Sequence, residues 1–246
     1  MAAAMSTTTT SSEPRWGLGD ALAGWLVATL VGSILALLIF RAFGYTDQQV
    51  ADQAVPLGLM FVANVPQWVG FVGAPYVAAR TKGHGLVHDF RLRFRPIDVP
   101  VGVAAGLGAQ LILAPLLSWP VLRLSGKSVA ELERPARELA DRAQGLGGTT
   151  ALILLAVICA PIAEELFFRG LVLRAFEKRF GVVWAVVATA VVFGATHFQP
   201  LQFLALAGAG AVFALLAVRF DRLGPAIIAH MAFNAVTVIN LLWLAT

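Results

Sequence analysis

Residues 149–168 read TTALILLAVICAPIAEELFF, an apolar run of twenty residues whose only charges are one Glu-Glu pair. An α-helix rises about 1.5 Å per residue, so this run is about 30 Å long and matches the hydrocarbon core of a bilayer. The run is therefore predicted to be a transmembrane helix, and the two carboxylates inside it need an explanation.

Six further runs of similar composition follow one another through the rest of the chain. Hydrophobic residues make up 59% of the 246 residues and charged residues only 13%, whereas a typical soluble domain has about 25% charged residues. The sequence predicts an all-α integral membrane protein with one membrane domain over residues 16–246. The seven predicted spans are residues 21–40, 56–79, 99–122, 149–168, 182–197, 201–218 and 225–245.

The first 15 residues are low in complexity and rich in Ser and Thr, so we predict a disordered N-terminal tail. The net charge of +4 suits a protein that faces anionic lipid headgroups, and membrane lipid is the first expected partner. No basic helix stands apart from the spans, so a nucleic-acid partner is not expected.

The distribution of Lys and Arg predicts the orientation, because short cytoplasmic loops carry an excess of both. With a cytoplasmic N-terminus, 12 of the 18 basic residues lie on the cytoplasmic side, Arg169 among them. We therefore expect a multi-pass protein of the cell membrane with a cytoplasmic N-terminus. Residues 123–144 mix both signs of charge and are predicted to form an amphipathic surface helix on the opposite side.

Ionisable residues inside spans are expensive and suggest function. Glu165 and Arg169 are four residues apart, share one helix face and can form an ion pair. Glu164 points about 100° away from Glu165 and is left without a local partner. A partly desolvated carboxylate of this kind suits a general base that acts on water. The structural alternative is that both Glu side chains simply pair with Arg169 and nearby interfacial Lys and Arg residues.

Two further polar groups lie in later spans. His197 closes the fifth predicted span, four residues after Phe193. His230 and Asn234 share one face of the seventh span, and this face is expected to point into the bundle because lipid cannot satisfy polar groups. The structural alternatives are an interfacial histidine and an interhelical hydrogen-bonded pair.

Two other patterns receive simpler interpretations. Asp20 ends the sequence GLGD and matches the GxGD string of aspartyl intramembrane proteases, but their chemistry needs two carboxylates that share a proton. We interpret Asp20 as a membrane-edge residue. His84 and His88 are four residues apart, but glycines flank His84 and no third ligand is apparent nearby. We interpret this stretch as a solvated loop and not as a metal site.

In chain order, the three polar groups read EExxxR, FxxxH and HxxxN. This order resembles the CPBP family of intramembrane proteases, also called the Abi or CAAX-protease-like family, which includes the Ras-converting CAAX endopeptidase. The resemblance covers about residues 152–238, and the first three spans carry no matching motif. Family members often have eight spans, so eight transmembrane helices are an alternative to seven.

The resemblance implies a role for each matching residue. One carboxylate would activate water with the help of a histidine, and a His–Asn pair would stabilise the oxyanion. These four catalytic residues would be Glu164, His197, His230 and Asn234. The supporting residues would be Glu165, Arg169 and Phe193.

The expected reaction is hydrolysis of a peptide bond in a membrane-associated peptide or protein by a glutamate-activated water. No cofactor is required in this mechanism. The alternative is a metalloendopeptidase with zinc bound by Glu164, His197 and His230, so the cofactor is left open. Nothing in the sequence says whether the substrate is prenylated.

Two functions of other classes compete with a protease. The first alternative is a non-catalytic membrane scaffold, which would not need to retain all four polar residues, and the second is a small proton-coupled transporter with Glu164 in a proton relay. The predicted boundaries also contain a conflict. They place Glu164 near the inner face and His197 near the outer face. A shared site therefore requires that the fifth span starts deeper in the membrane, or that the turn at Pro200 lies in a cavity.

Overall fold

The computed structural model describes residues 13–51 and 55–244. This part of the chain consists of helices joined by turns and loops, so the predicted all-α class is confirmed. Residues 1–12, most of the predicted tail, lie outside the described residues. The helices are α1 (Leu18–Ala42), α2 (Asp47–Ala51), α3 (Leu57–Lys82), α4 (Leu86–Asp89), α5 (Asp98–Ser125), α6 (Val129–Ala140), α7 (Gly145–Phe180), α8 (Val182–Ala195), α9 (Phe203–Phe220) and α10 (Gly224–Trp243).

The helices of the described residues include six that are long and apolar enough to cross a membrane, namely α1, α3, α5, α7, α9 and α10. Helix α8 is apolar but shorter, with 14 residues. Each of the seven predicted spans therefore corresponds to a helix, and the protein is a multi-pass membrane bundle.

Helix α7 is the element whose predicted boundaries were wrong. The prediction ended at residue 168 because the apolar run ends at Arg169, whereas α7 has 36 residues and continues to Phe180. Arg169 lies inside α7 and is fully buried within the bundle, so its placement in a loop after the fourth span was wrong as well. A charge stops a hydropathy-based prediction even where the fold provides a partner for that charge.

The longer α7 removes the conflict over depth. The chain reverses direction at Gly181, whose φ of +79° suits a residue without a side chain. Counted at about 1.5 Å per residue from this turn, Glu164 and His197 each lie roughly 25 Å along their helices. The two residues are therefore at one level of the bundle.

Glycines allow α5 to pack closely against α10. A Cβ atom at Gly106 would lie 2.3 Å from the Ala229 carbonyl oxygen, and one at Gly102 would lie 2.6 Å from Ile228 Cβ. Such close approach of two helix backbones is typical of small residues spaced four apart in membranes. This packing fixes the position of α10, which carries His230 and Asn234.

The N-terminal segment and the ends of α3 and α7 meet at one end of the bundle. The Arg15 N–H donates to the Lys82 carbonyl oxygen (2.6 Å), and Lys178 Nζ donates to the Trp16 carbonyl oxygen (2.9 Å). Asp20 lies in the first turn of α1 and pairs with Lys82 at 2.6 Å, which agrees with its interpretation as a membrane-edge residue. We call this the basic end.

Helix α6 lies at the opposite end and confirms the predicted surface helix, although it is shorter than residues 123–144. Ser128 Oγ accepts a hydrogen bond from the Glu131 N–H, and the Glu131 carboxylate accepts one from the Ser128 N–H, which is a capping box. The Lys127 ammonium and these N-terminal donors lower the pKa of Glu131 to about 2. The α6 N-terminus is thus well defined.

Candidate active site

The predicted Glu165–Arg169 ion pair is present and fully buried. Arg169 Nη1 donates to Glu165 Oε1 at 2.8 Å, and neither side chain is exposed. Arg169 Nη2 donates to the Gly210 carbonyl oxygen on α9 at 2.9 Å. The Arg169 guanidinium also lies over the Phe193 ring at 4.4 Å. The pair therefore joins α7 to α8 and α9 in the interior of the bundle.

His230 completes a chain of contacts with this pair. Its Nδ1–H donates to Glu165 Oε1 at 2.9 Å, because a carboxylate paired with a guanidinium is an acceptor. The imidazole ring stacks on Phe213 with a centroid distance of 4.8 Å. These contacts make Nδ1 the donor to Glu165, and Nε2 is the ring nitrogen that points away from Glu165.

Glu164 lies on the other side of this histidine. Its Oε2 atom is 4.0 Å from His230 Nε2, is buried, and has no hydrogen-bond partner among the described residues. The side chain as a whole is 19% exposed. The prediction that Glu165 pairs with Arg169 while Glu164 stays without a local partner is therefore confirmed.

The predicted catalytic residues all line one cavity of about 250 Å³. A cavity of this size holds several water molecules. Helices α7, α8 and α10 each supply part of its wall, and the supporting aromatic Phe193 contributes as well. The sequence-predicted residues that line it are Glu164, Phe193, His197, His230 and Asn234.

His197 is held in one tautomer. Its Nδ1–H donates to the Phe193 carbonyl oxygen at 2.7 Å, and a carbonyl can only accept. Phe198 has a left-handed φ of 54°, so the chain turns away directly after His197. The Nε2 atom of His197 is therefore the ring nitrogen left for other partners.

Asn234 has a structural partner in addition to its place in the cavity wall. Its Nδ2 donates to the Ala156 carbonyl oxygen at 2.7 Å. Ala156 belongs to the π-helical segment Ile153–Cys159, where a carbonyl accepts from the N–H five residues later. For Ala156 that residue is Pro161, which has no N–H. Asn234 thus satisfies a carbonyl that the backbone leaves free, and keeps one amide N–H for another acceptor.

Sequence reasoning missed the wall that covers the cavity. Helix α6 lines it through Pro135, Ala136, Leu139 and Ala140, and Gln202 Nε2 donates to the Leu132 carbonyl oxygen at 2.7 Å. The signal was the apolar spacing of Leu132, Ala136 and Leu139, which marks one helix face. Phe213, which stacks on His230, was missed because a lone aromatic residue in an apolar span looks like ordinary packing.

The three residues suggested as zinc ligands do not lie close enough together to bind one metal ion. Within the described part of the chain, one group of three possible metal ligands has its ligand atoms within 4.8 Å of one another. This group is His84, His88 and Asp89. Glu164, His197 and His230 do not form such a group, and His230 Nδ1 is engaged with Glu165.

An apolar groove of about 520 Å³ is lined in part by the sequence neighbours of His197. Thr196 and Phe198 line the groove, while His197 between them lines the cavity. The other wall of the groove comes from α1, including Leu18, Leu22 and Trp25. A molecule in this groove lies next to the end of α8 that carries His197.

The C-terminal part of the chain is similar in sequence to known proteins. Residues 147–236 match the family model described as "Type II CAAX prenyl endopeptidase Rce1-like". Over 88 residues, 36% of this chain, the sequence is 31% identical to the Bacillus subtilis (strain 168) protein named "Putative membrane peptidase YdiL". The match spans only 36% of that relative's length. No solved structure shows a significant match to this chain.

The matched region contains every residue of the predicted site, from Glu164 to Asn234. The motifs that suggested the CPBP family therefore lie within the region that the family model matches. The resemblance to the CPBP family is confirmed, because residues 147–236 match the Rce1-like family model.

Proposed function

We propose that this protein is an intramembrane endopeptidase in which Glu164 activates a water molecule for attack on a peptide carbonyl. The observation that carries the proposal is the Glu164 carboxylate, whose Oε2 is buried without a hydrogen-bond partner and lies 4.0 Å from His230 Nε2. A carboxylate in this position can accept a proton from water in the cavity.

The neighbouring groups support this role for Glu164. Glu165 is already bound to Arg169 and His230, so it serves to orient the imidazole and not to act on water. His230 turns its Nε2 towards Glu164 and can share the proton that water loses. A histidine oriented by a carboxylate is a recurring arrangement in hydrolases. This differs from the sequence prediction, in which His230 acts mainly on the oxyanion.

Oxyanion stabilisation falls to the remaining donors of the cavity. Asn234 has one amide N–H beyond its bond to Ala156, and His197 Nε2 becomes a donor when its ring is protonated. The water oxygen adds to the peptide carbonyl while its proton passes to Glu164. The C–N bond then breaks as the amine takes up that proton, so the products are a carboxylate and an amine.

The groove beside the cavity supports a membrane-associated substrate. Its lining is almost entirely apolar and includes exposed Phe198 at the side of His197. An apolar segment of a substrate, bound there from the lipid phase, would bring an adjoining peptide bond towards the cavity. Because the relative matches over 36% of its length, the substrate is part of the proposal.

A cleavage assay in nanodiscs tests the proposal. A quenched peptide library is incubated with wild type, Glu164→Gln and Thr237→Val, with and without a chelator. Thr237 lines the same cavity but has no role in the proposed chemistry, so Thr237→Val is the matched control. We expect cleavage by wild type and Thr237→Val only. Inactive but folded wild type across the library would favour a membrane scaffold.

A further inference from the structure

Two histidines and one aspartate meet at the basic end of the bundle, far from the cavity. His88 Nδ1 lies 3.1 Å and His84 Nδ1 lies 3.6 Å from Asp89 Oδ1. One ligand atom from each residue lies within 4.8 Å of the others. Zinc binds such ligands at about 2.0–2.1 Å, which places neighbouring ligands of a tetrahedron about 3.3 Å apart. The separations suit one small cation.

Asp89 is held so that one carboxylate oxygen faces the histidines. Its side chain is fully buried, and Oδ2 accepts hydrogen bonds from the His84 N–H (2.8 Å) and from Trp16 Nε1 (3.2 Å). The backbone leaves space for this arrangement at Gly83, where a Cβ atom would lie 1.8 Å from Asp89 Oδ2. Hydrogen bonds of this kind orient metal ligands in known sites.

The site is accessible and carries the charge that a cation needs. The side chains of His84 and His88 are 33% and 57% exposed. Burial acts to raise the pKa of Asp89, but hydrogen bonds from His88, the His84 N–H and Trp16 hold it below its ordinary value. The expectation that no third ligand lies near His84 and His88 was wrong, because the buried Asp89 carboxylate contacts both rings.

We propose that His84, His88 and Asp89 bind one zinc ion, with water in the remaining position. Two imidazoles and a carboxylate are a ligand set that zinc accepts. The ion takes the place of the proton on His88 Nδ1, and the neutral ring then carries its proton on Nε2. Asp89, at the end of α4, also accepts a hydrogen bond from Trp16. The ion would therefore stabilise the contact of α4 and the loop before it with the segment that precedes α1.

Zinc titration of the full chain tests this site separately from the cavity. The protein is purified with a tag that lacks histidine, treated with a chelator, washed, and titrated with zinc chloride by calorimetry. The variants are Glu164→Gln, the single change His88→Gln, and the double change His84→Gln with His88→Gln. We expect one equivalent of zinc in wild type and Glu164→Gln, and at least tenfold weaker binding in both histidine variants.

Thermal unfolding supplies a second readout. Zinc should raise the unfolding temperature of wild type and Glu164→Gln, because a ligand that binds only the folded state stabilises it, and should leave the histidine variants unchanged. The proposal is overturned if wild type binds no zinc at micromolar concentration. It is also overturned if Glu164→Gln loses the zinc while His88→Gln keeps it. Both outcomes are independent of whether the protein cleaves peptides.

Discussion

Arg169 is a fully buried cation, and its energy depends on the groups that surround it. Glu165 neutralises its charge, and the Gly210 carbonyl and the Phe193 ring occupy two further sides. Removing one member of a buried ion pair leaves the other charge without compensation, which typically costs about 3–5 kcal/mol. An exposed pair of the same spacing is worth at most about 1 kcal/mol.

The chain offers a matched comparison of these two cases. Arg169 and Glu165 are four residues apart and fully buried, whereas Arg137 and Glu133 have the same spacing with 41% and 36% exposed side chains. We predict that Arg169→Met lowers the free energy of unfolding by about 3–5 kcal/mol and Arg137→Met by less than about 1 kcal/mol. Reversible unfolding in mixed detergent micelles measures both, and equal losses would contradict this account of Arg169.

Part of the site follows from local spacing, and part does not. Glu165 and Arg169 were paired correctly because i,i+4 spacing fixes a shared helix face. His230 and Glu165 are 65 residues apart in sequence and lie on different helices, and spacing within one helix carries no information about their contact. For the same reason, the bond from Asn234 to Ala156 was not predicted.

At the scale of the element, Pro161 on α7 and Asn234 on α10 both affect the hydrogen bonding of the Ala156 carbonyl. Pro161 leaves the Ala156 carbonyl without a backbone donor, and Asn234 supplies one. We predict that Asn234→Ala costs about 1–3 kcal/mol because a buried carbonyl loses its donor. Pro161→Ala restores an N–H, so the double variant should recover part of this loss in a double-mutant cycle.

Activity separates the two roles of Asn234 in the same cycle. If Asn234 also donates to the oxyanion, the double variant Pro161→Ala with Asn234→Ala should recover stability but not the cleavage rate. Recovery of both would restrict Asn234 to the structural role. Strictly additive losses of stability would contradict the link between Pro161 and the Ala156 carbonyl.

The contact between α5 and α10 gives a second prediction for an element. A Cβ atom at Gly106 would lie 2.3 Å from the Ala229 carbonyl oxygen, whereas one at Gly108 meets nothing within 4 Å. We predict that Gly106→Ala forces the helices apart and costs roughly 1–3 kcal/mol. Gly108→Ala should be neutral or stabilising by up to about 1 kcal/mol.

Thermal unfolding and the cleavage rate measure the effect of both glycine changes. Gly106→Ala should lower the cleavage rate as well as the stability, because α10 carries His230. If Gly106→Ala behaves like Gly108→Ala in both measurements, the close packing of α5 on α10 is contradicted.

At the scale of the whole molecule, hydropathy was sufficient for the fold class and for the number of apolar helices. It was not sufficient for α7, because Arg169 ends the apolar run although the helix continues for eleven residues beyond it to Phe180. It also could not identify α6 as a wall of the cavity. The apolar face of α6 is visible in the sequence, but the surface that it covers depends on how the bundle folds.

The position of the cavity makes the orientation important. The cavity is lined by Leu152, by Leu241 and by α6, which lie at the end of the bundle opposite the basic end. If the N-terminus is cytoplasmic, as the distribution of Lys and Arg predicts, the cavity lies toward the non-cytoplasmic face. Substrates would then approach from that face or from the lipid.

Cysteine labelling in intact cells tests this orientation. Cys159 is the one cysteine of the chain, so Cys159→Ala provides a background without thiols. In this background, Lys127→Cys should react with a membrane-impermeant maleimide in intact cells, and Glu13→Cys only after permeabilisation. The reverse pattern would place the N-terminus outside and the cavity toward the cytoplasm.

The central claim is that Glu164 performs the chemistry of this cavity. The measurement that tests it most directly is the single-turnover cleavage rate of wild type, Glu164→Gln and Thr237→Val in nanodiscs, on a peptide that wild type cuts. General-base catalysis contributes about 10²–10⁴-fold, so Glu164→Gln should be at least about 100-fold slower at unchanged stability, with Thr237→Val close to wild type. A folded Glu164→Gln variant that cleaves at the wild-type rate would contradict the claim.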